Sequence, residues 1–276
     1  MVHNDPLPMF YLNAALIAFQ NGVPPSGWDH PRSTEWTDGG EPDVYTAVAD
    51  AAVSALRVAW NQKYNVGLRI RPEVYAQRYE LAKNNRAIRQ AVPGLKQLRQ
   101  RINKYSQILE RVRNANPQES SYLKLLFPEG SPTHPSTPAG HATVAGACVT
   151  VLKAMLATHE PGGALAKWVD AGRQAVHSID GDSLVPYAED DAAEMTVVGE
   201  LNKLASNVAL GRDHAGVHYR VDGDSGILTG EEFAITFLID RAKEMWVSDT
   251  DLFPGWRLSK FDGSEVLITQ DGATPI

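Results

Sequence analysis

Pro138-Ala139-Gly140-His141-Ala142 runs directly into TVAGACVTVLKAML, residues 143–156, and this stretch decides the fold. Its small and apolar side chains predict a helix buried on all sides over Ala142 to Leu156. The residues at its start are small, so the backbone N-H groups that a helix leaves without partners point at whatever lies there, and the dipole favours negative charge. A second stretch, Gly211-Arg212-Asp213-His214-Ala215-Gly216-Val217-His218, supplies a guanidinium and, six positions on, an imidazole. Lys63 and Arg71 add two more cations upstream. Three cations, a helix N-terminus and the imidazoles of His141 and His218 suit a tetrahedral or trigonal-bipyramidal oxyanion.

Working outward, most of the chain has helical periodicity. Helices are expected at 9–21, from Asp43 as cap to about Asn65, from Pro72 to about Asn84, and at 140–157, 163–177, 191–212 and 229–247. Between Leu95 and Val112 the apolar residues recur every three or four positions, which predicts one helix with a seam for a bundle or a subunit interface. Pro24, Pro25, Gly27, Pro31, Gly39, Gly40 and Pro42 mark an irregular connection. At the tail, residues 256–260 and 265–269 flank Asp262-Gly263, a hairpin signal. The expectation is one all-α domain over 1–276 with a small C-terminal β-hairpin at 256–269.

Lys63 and Arg71 are eight positions apart, but Gly67 and the restriction on a residue before proline argue against one continuous helix across them. Lys63 then ends a helix and Arg71 lies in the turn after it; taken alone, each reads as a solvated surface cation. Arg212 and His218 would point apart on a regular helix, and Gly216 can break it and bring His218 round.

With 276 residues and 43% hydrophobic content the chain can bury a sizeable core. The single Cys148 reads as a packed core thiol, which leaves no disulfide framework or Cys-based metal site. The net charge of -7 is uneven: residues 63–114 hold 13 of the 26 Lys and Arg against three acids, whereas 178–200 hold acids and no Lys or Arg. Without interleaved aromatics the basic half does not read as a nucleic-acid face. No transmembrane segment or secretory leader is visible, so the chain reads as soluble, with its compartment open.

His214 and His218 at i, i+4, with Asp222, resemble a zinc pair, but the Glu of the metalloprotease pattern is missing. Asp222-Gly-Asp224 hints at a calcium loop, yet Phe233 stands where the bidentate Glu belongs, and a turn reads better. His3, His30, His159 and His177 have no partners in sequence and read as surface residues. Neither a nucleophile elbow nor a Gly-rich phosphate loop occurs.

Taken in order, Lys63 to Arg71-Pro72, then His134-Pro135-Ser136-Thr137-Pro138-Ala139-Gly140-His141, then Gly211-Arg212 to His218-Tyr219-Arg220 and Asp222, the chain resembles the vanadium-dependent haloperoxidases. The likeness is to the C-terminal half of the bromoperoxidase branch, in the superfamily shared with acid phosphatases. It implies a helical bundle with vanadate as cofactor, bound axially by His218. The vanadate oxygens would be held by Lys63, Arg71, Arg212 and the backbone at Ala139 and Gly140, with His141 as acid-base partner. His134 takes the second histidine position of the bromide-oxidising branch, so His141, His134 and Lys63 are the expected catalytic set. Halide (bromide, with iodide) and hydrogen peroxide are the implied substrates. A phosphomonoesterase and a noncatalytic anion-binding half domain are the alternatives. Ala139 departs from the family's usual Ser and removes one hydroxyl donor. A match confined to half of the algal enzymes suggests self-association, as a dimer or a ring of dimers, with no membrane or nucleic-acid partner.

Overall fold

The computed structural model describes residues 6–26, 39–116, 118–168, 175–245 and 253–276. In chain order these form α1 (Met9–Gln20), α2 (Glu41–Gln62), α3 (Pro72–Asn84), α4 (Arg86–Ala91), α5 (Leu95–Ile102), α6 (Ser106–Asn114) and α7 (Gly140–Met155). A hairpin of β1 (Ala175–His177) and β2 (Leu184–Pro186) precedes α8 (Val197–His214) and α9 (Arg220–Glu244). The tail forms an antiparallel sheet, β3 (Trp256–Ser259), β4 (Glu265–Thr269) and β5 (Gly272–Pro275). No described helix is long and apolar enough to cross a membrane.

The apolar run is the central rod of a helical bundle. Fifteen of the sixteen residues of α7 are buried, His141 being the exception, and α2, α8 and α9 surround it. Cys148 sits in this core, where burial pushes its thiol up. The α2 face towards α7 is built from Ala47, Ala51, Ala52, Ala55 and Ala59, which let the two axes approach closely.

On α9 the same closeness is achieved by glycine. A side chain at Gly226 would stand 2.9 Å from the Ala139 carbonyl oxygen, one at Gly230 would collide with the Thr143 carbonyl, and one at Gly146 of α7 with that of Ile227. The pairs Gly226–Ala139 and Gly230–Thr143 advance together, so α7 and α9 run in the same sense and their N-termini meet. Ala139 N-H donates to the Asp222 carbonyl at 2.9 Å across that junction.

Several expectations change against tertiary structure. The Leu95–Val112 stripe is two helices: the chain breaks at 103–105, where Tyr79 hydroxyl donates to Asn103 Oδ1, and Tyr105 and Ile108 are exposed. The expected helix at 163–177 does not form where the chain is described. There Ala166 N-H donates to Thr158, Trp168 N-H to Met195, and Val197 N-H to Ala166, so backbone pairing overrides propensity; 169–174 lie outside the described residues. Helix α8 starts at Val197, because Thr196 Oγ1 caps it by accepting from Gly199 N-H at 3.0 Å. Asp43 does not cap α2 but lies in its first turn, where Oδ2 accepts from Gly39 N-H.

Helix α9 begins nine residues before the expected 229, since Gly223, Gly226 and Gly230 serve packing and Asp222-Gly-Asp224 is its first turn, not a loop. The hairpin gains a third strand, and the sheet buries Trp256, Leu258 and Ile268. His159 is half-buried between Thr158, Ser259 and Glu265, not on the surface. His3, His30 and most of the irregular connection lie outside the described residues, as does the side chain of His177.

Adding one methyl group where two backbones touch forces them apart, and overpacking of this kind costs about 1–3 kcal/mol. Gly146→Ala and Gly230→Ala are therefore expected each to lower stability by at least that amount in urea unfolding. Gly162→Ala, where a side chain would meet open space, is expected to be nearly silent.

Candidate active site

Four segments converge where the N-termini of α7 and α9 meet. Lys63 opens a π-helical turn, Lys63–Gly67, that continues α2. Leu68 then takes a left-handed conformation (φ 45°), which redirects the chain. Arg71 follows as the residue capping α3, with Pro72 at its first position. The irregular segment 134–139 crosses in front, tied down by Ser136 N-H donating to Arg69 O at 2.9 Å. Helix α8 ends at His214, and Gly216, with φ 78°, turns the chain so that His218 faces inward.

Both upstream cations are buried, against the reading of either as a surface charge: Lys63 is 0% and Arg71 4% exposed. Lys63 Nζ donates to the carbonyls of Pro135 (2.6 Å) and Ser136 (3.0 Å). Arg71 Nε donates to His134 O, and its Nη1 to Val217 O at 2.9 Å. The same Nη1 lies 2.9 Å from His218 Nε2, and Nη2 lies 3.1 Å from His134 Nδ1. An arginine only donates, so His218 Nε2 presents a lone pair to it, whereas His134 Nδ1 lies between Arg71 and the Pro135 carbonyl, 3.2 Å away.

His218 Nδ1 meets Asp222 Oδ2 at 3.2 Å, which fixes the proton on Nδ1 and leaves Nε2 as a Lewis base aimed into the cation cluster. Asp222 is held in turn by Tyr219 N-H (3.1 Å), Arg69 (3.4 Å) and the Thr137 hydroxyl. Gly140 opens α7 beside Lys63, whose Cε would be 4.0 Å from a side chain there. Ala139 does not offer its N-H to the cluster, because Asp222 O accepts it; its part is to hold the start of α7. His141 and Arg212 line a cavity of about 400 Å³ with Phe10, Leu126, Phe127 and Leu204.

The electrostatics are those of crowded positive charge. Lys63 is pushed down to about 7, first by burial and then by Arg71, with Arg212 adding to it. Arg71 is lowered to about 10 by burial and by Arg212. Burial and Lys63 bring His134 down to about 4. Burial takes His218 to about 4 as well, although the bond to Asp222 pulls the other way. Burial alone would raise Asp222, but the bonds from His218, Thr137 and Tyr219 hold it at about 2.

Lys63, Arg71, His134, Gly140 and His218 are thus brought together, and Arg212 lies near enough to press on the first three. His214 is exposed at the end of α8 whereas His218 is buried, and Asp222 is the support of His218. That supporting role was missed from sequence, although a carboxylate four residues after an imidazole, at the third position of a helix, is a readable signal. Trp60, whose ring lies 5.4 Å from that of His134 and orients it, was also missed and carries no such signal.

Buried cations and an imidazole lone pair at two helix N-termini suit an oxyanion, and comparison with known proteins narrows the class. A family model described as the VCPO second helical-bundle domain matches residues 43–247, and the chain belongs to that family. The vanadium-dependent bromoperoxidases of Corallina pilulifera and Corallina officinalis are each 33% identical over 287 residues, covering 97% of this chain and 45% of their own. That of Ascophyllum nodosum is 33% identical over 233 residues, 84% of this chain and 39% of its own. Among solved structures, the second vanadate-dependent bromoperoxidase of Ascophyllum nodosum, described as homohexameric, superposes with a TM-score of 0.73 at 25% identity; the match covers 97% of this chain and 47% of that one. The chain spans about half the length of the curated relatives it matches.

Replacing Asp222 by Asn removes the nearest negative charge from the His218 ring. The His218 pKa is expected to fall further below about 4, and histidine NMR of the anion-free protein measures it; an unchanged titration would remove Asp222 from its role. Stability has the same origin. Buried His134 and His218 bind protons less readily than in the unfolded chain, so the unfolded state holds more protons between about pH 4 and 6.5. Stability of the anion-free protein is expected to rise with pH across that window, and urea midpoints at four or five pH values test it.

Proposed function

We propose that this chain is a vanadate-dependent haloperoxidase that oxidises bromide, and with it iodide, using hydrogen peroxide. One observation carries the reading: His218 Nε2, its proton fixed on the far nitrogen by Asp222, faces buried cations at the meeting of two helix N-termini. The donor set fits vanadate, because Lys63 and Arg71 are held below their ordinary values by burial and by one another, a deficit that an oxyanion fills.

His218 Nε2 would be the ligand to vanadium, and the Arg71 guanidinium beside it would hold an oxygen. Lys63, Arg71, Arg212 and the Gly140 N-H would hold the remaining oxygens, and Ala139 supports them by anchoring the helix start. When bound, vanadate supplies a Lewis-acid centre that makes peroxide electrophilic without a change of oxidation state. Lys63 has three N-H donors, two of them bonded to the carbonyls of Pro135 and Ser136, and the third can point at the oxygen that gains charge. His141 lines the cavity it shares with Arg212 and would take and return the proton of peroxide. His134, neutral and stacked beside Trp60, would accept from Arg71 and keep the guanidinium in register. The halide enters as an anion drawn by the same cations. Self-association, as a dimer or a ring of dimers, is part of the same reading, and the homohexameric neighbour supports its coarser form, an oligomer.

Bromination of a phenolic dye by peroxide, with and without orthovanadate and beside a phosphate-ester hydrolysis control, tests this. Activity that requires vanadate is expected, with none left in His218→Ala and a loss of roughly 100- to 10,000-fold in His141→Ala. Full bromination by reconstituted His218→Ala would overturn the assignment.

A further inference from the structure

The charge asymmetry of the sequence is absorbed by nothing in the active site, and the structure gives each sign its own shape. The positive side is a pair of adjoining clefts, of about 610 and 370 Å³, on α3, α4 and α5, which share Pro93, Gly94 and Gln97. Arg86, Arg89, Lys96 and Arg99 line the larger, Arg78 and Arg101 the smaller, and no carboxylate lines either. The smaller cleft has an apolar floor, from Ile70, Tyr75, Leu95 and Leu98. It is a pocket for an apolar anchor ringed by cations.

The negative side is an arm. Strands β1 and β2 pair over three residues and present the turn Ser178-Ile179-Asp180-Gly181-Asp182-Ser183. The turn is built: Ser178 N-H donates to Ser183 O at 2.9 Å, Gly181 N-H to Ser178 O, and Asp182 N-H to Asp180 Oδ1. It holds Ile179 fully exposed, directly before Asp180. Glu189, Asp190, Asp191 and Glu194, all exposed, continue the charge towards α8. A β-branched apolar residue in water at the end of a preorganised acidic hairpin matches the second cleft in both polarity and sign.

We propose that the hairpin tip of one copy docks in the cationic cleft of a second copy, with Ile179 on the apolar floor and Asp180 and Asp182 against Arg78 and Arg101. The proposal rests on the self-association read above and names the surfaces that make it. Arm and cleft lie on one chain, so the contact either repeats reciprocally in a pair or closes a ring. Association driven this way is steered by charge and weakened by salt, while the anchored Ile179 sets specificity.

The test uses sedimentation velocity on the full chain at 0.15 and 0.5 M salt, with Asp180→Lys/Asp182→Lys as one variant and Arg78→Glu/Arg101→Glu as the other. All four side chains are exposed, so folding is checked by circular dichroism. Each variant alone is expected to dissociate at least tenfold more readily than the parent, salt is expected to weaken the parent, and an equimolar mixture of the variants is expected to assemble again. An assembled parent with both variants equally assembled would overturn the docking while leaving self-association intact. A parent monomeric throughout would overturn both. Loss of heparin retention by Arg78→Glu/Arg101→Glu without loss of assembly would make the cleft a polyanion site and end the proposal.

Discussion

The rest of the molecule depends on the contact between α7 and α9 across Gly146, Gly226 and Gly230. Helices bearing ordinary side chains pack at axial separations of about 8–10 Å. Here backbone meets backbone, and only that closeness lets the Asp222 carbonyl accept from Ala139 N-H at the junction. Two helix N-termini are thereby brought to one point, and with them the donors and positive dipole ends that neither helix can satisfy alone. His218, Asp222 and Gly140 are placed by this crossing before any of their own side-chain bonds are considered.

Around that point the protein gathers three basic side chains. Lys63, Arg71 and Arg212 crowd together, with Asp222 directed away to the imidazole and to Thr137 and Tyr219. Burying like charges lowers stability, and the depressed Lys63 and the neutral histidines record where that loss is stored. An anion bound there would offset the same crowding that lowers stability in its absence.

Much of this was legible from the chain itself. The buried α7, the break at Gly216, the separation of Lys63 from Arg71 and the tail hairpin all follow from local pattern, which backbone sterics and burial enforce directly. Gly223 was misread as part of a turn because a helix breaker and a packing notch are the same residue, and only the partner helix tells them apart. The 163–177 segment failed for a related reason: its hydrogen bonds go to Thr158 and Met195, which no local window contains. Within the site, the residues that would touch the anion were readable as motifs, and the spacing of Asp222 from His218 was a signal left unread, whereas Trp60 acts on His134 and showed no pattern of its own.

At the far end of α7, Lys153 is fully buried, 3.8 Å from Glu231 Oε1 and 3.7 Å from the centre of the Phe261 ring, while Glu231 accepts from Phe261 N-H at 2.7 Å. The helix is therefore bolted at both ends, to the oxyanion cluster in front and to the β3–β4 turn behind, along a rod about 20 Å long. A rigid rod transmits displacement along its axis. The small terminal sheet thus acts as the tailstock of the central helix, and the alignment of Gly140 with Lys63 is set partly by a hairpin that never comes near either.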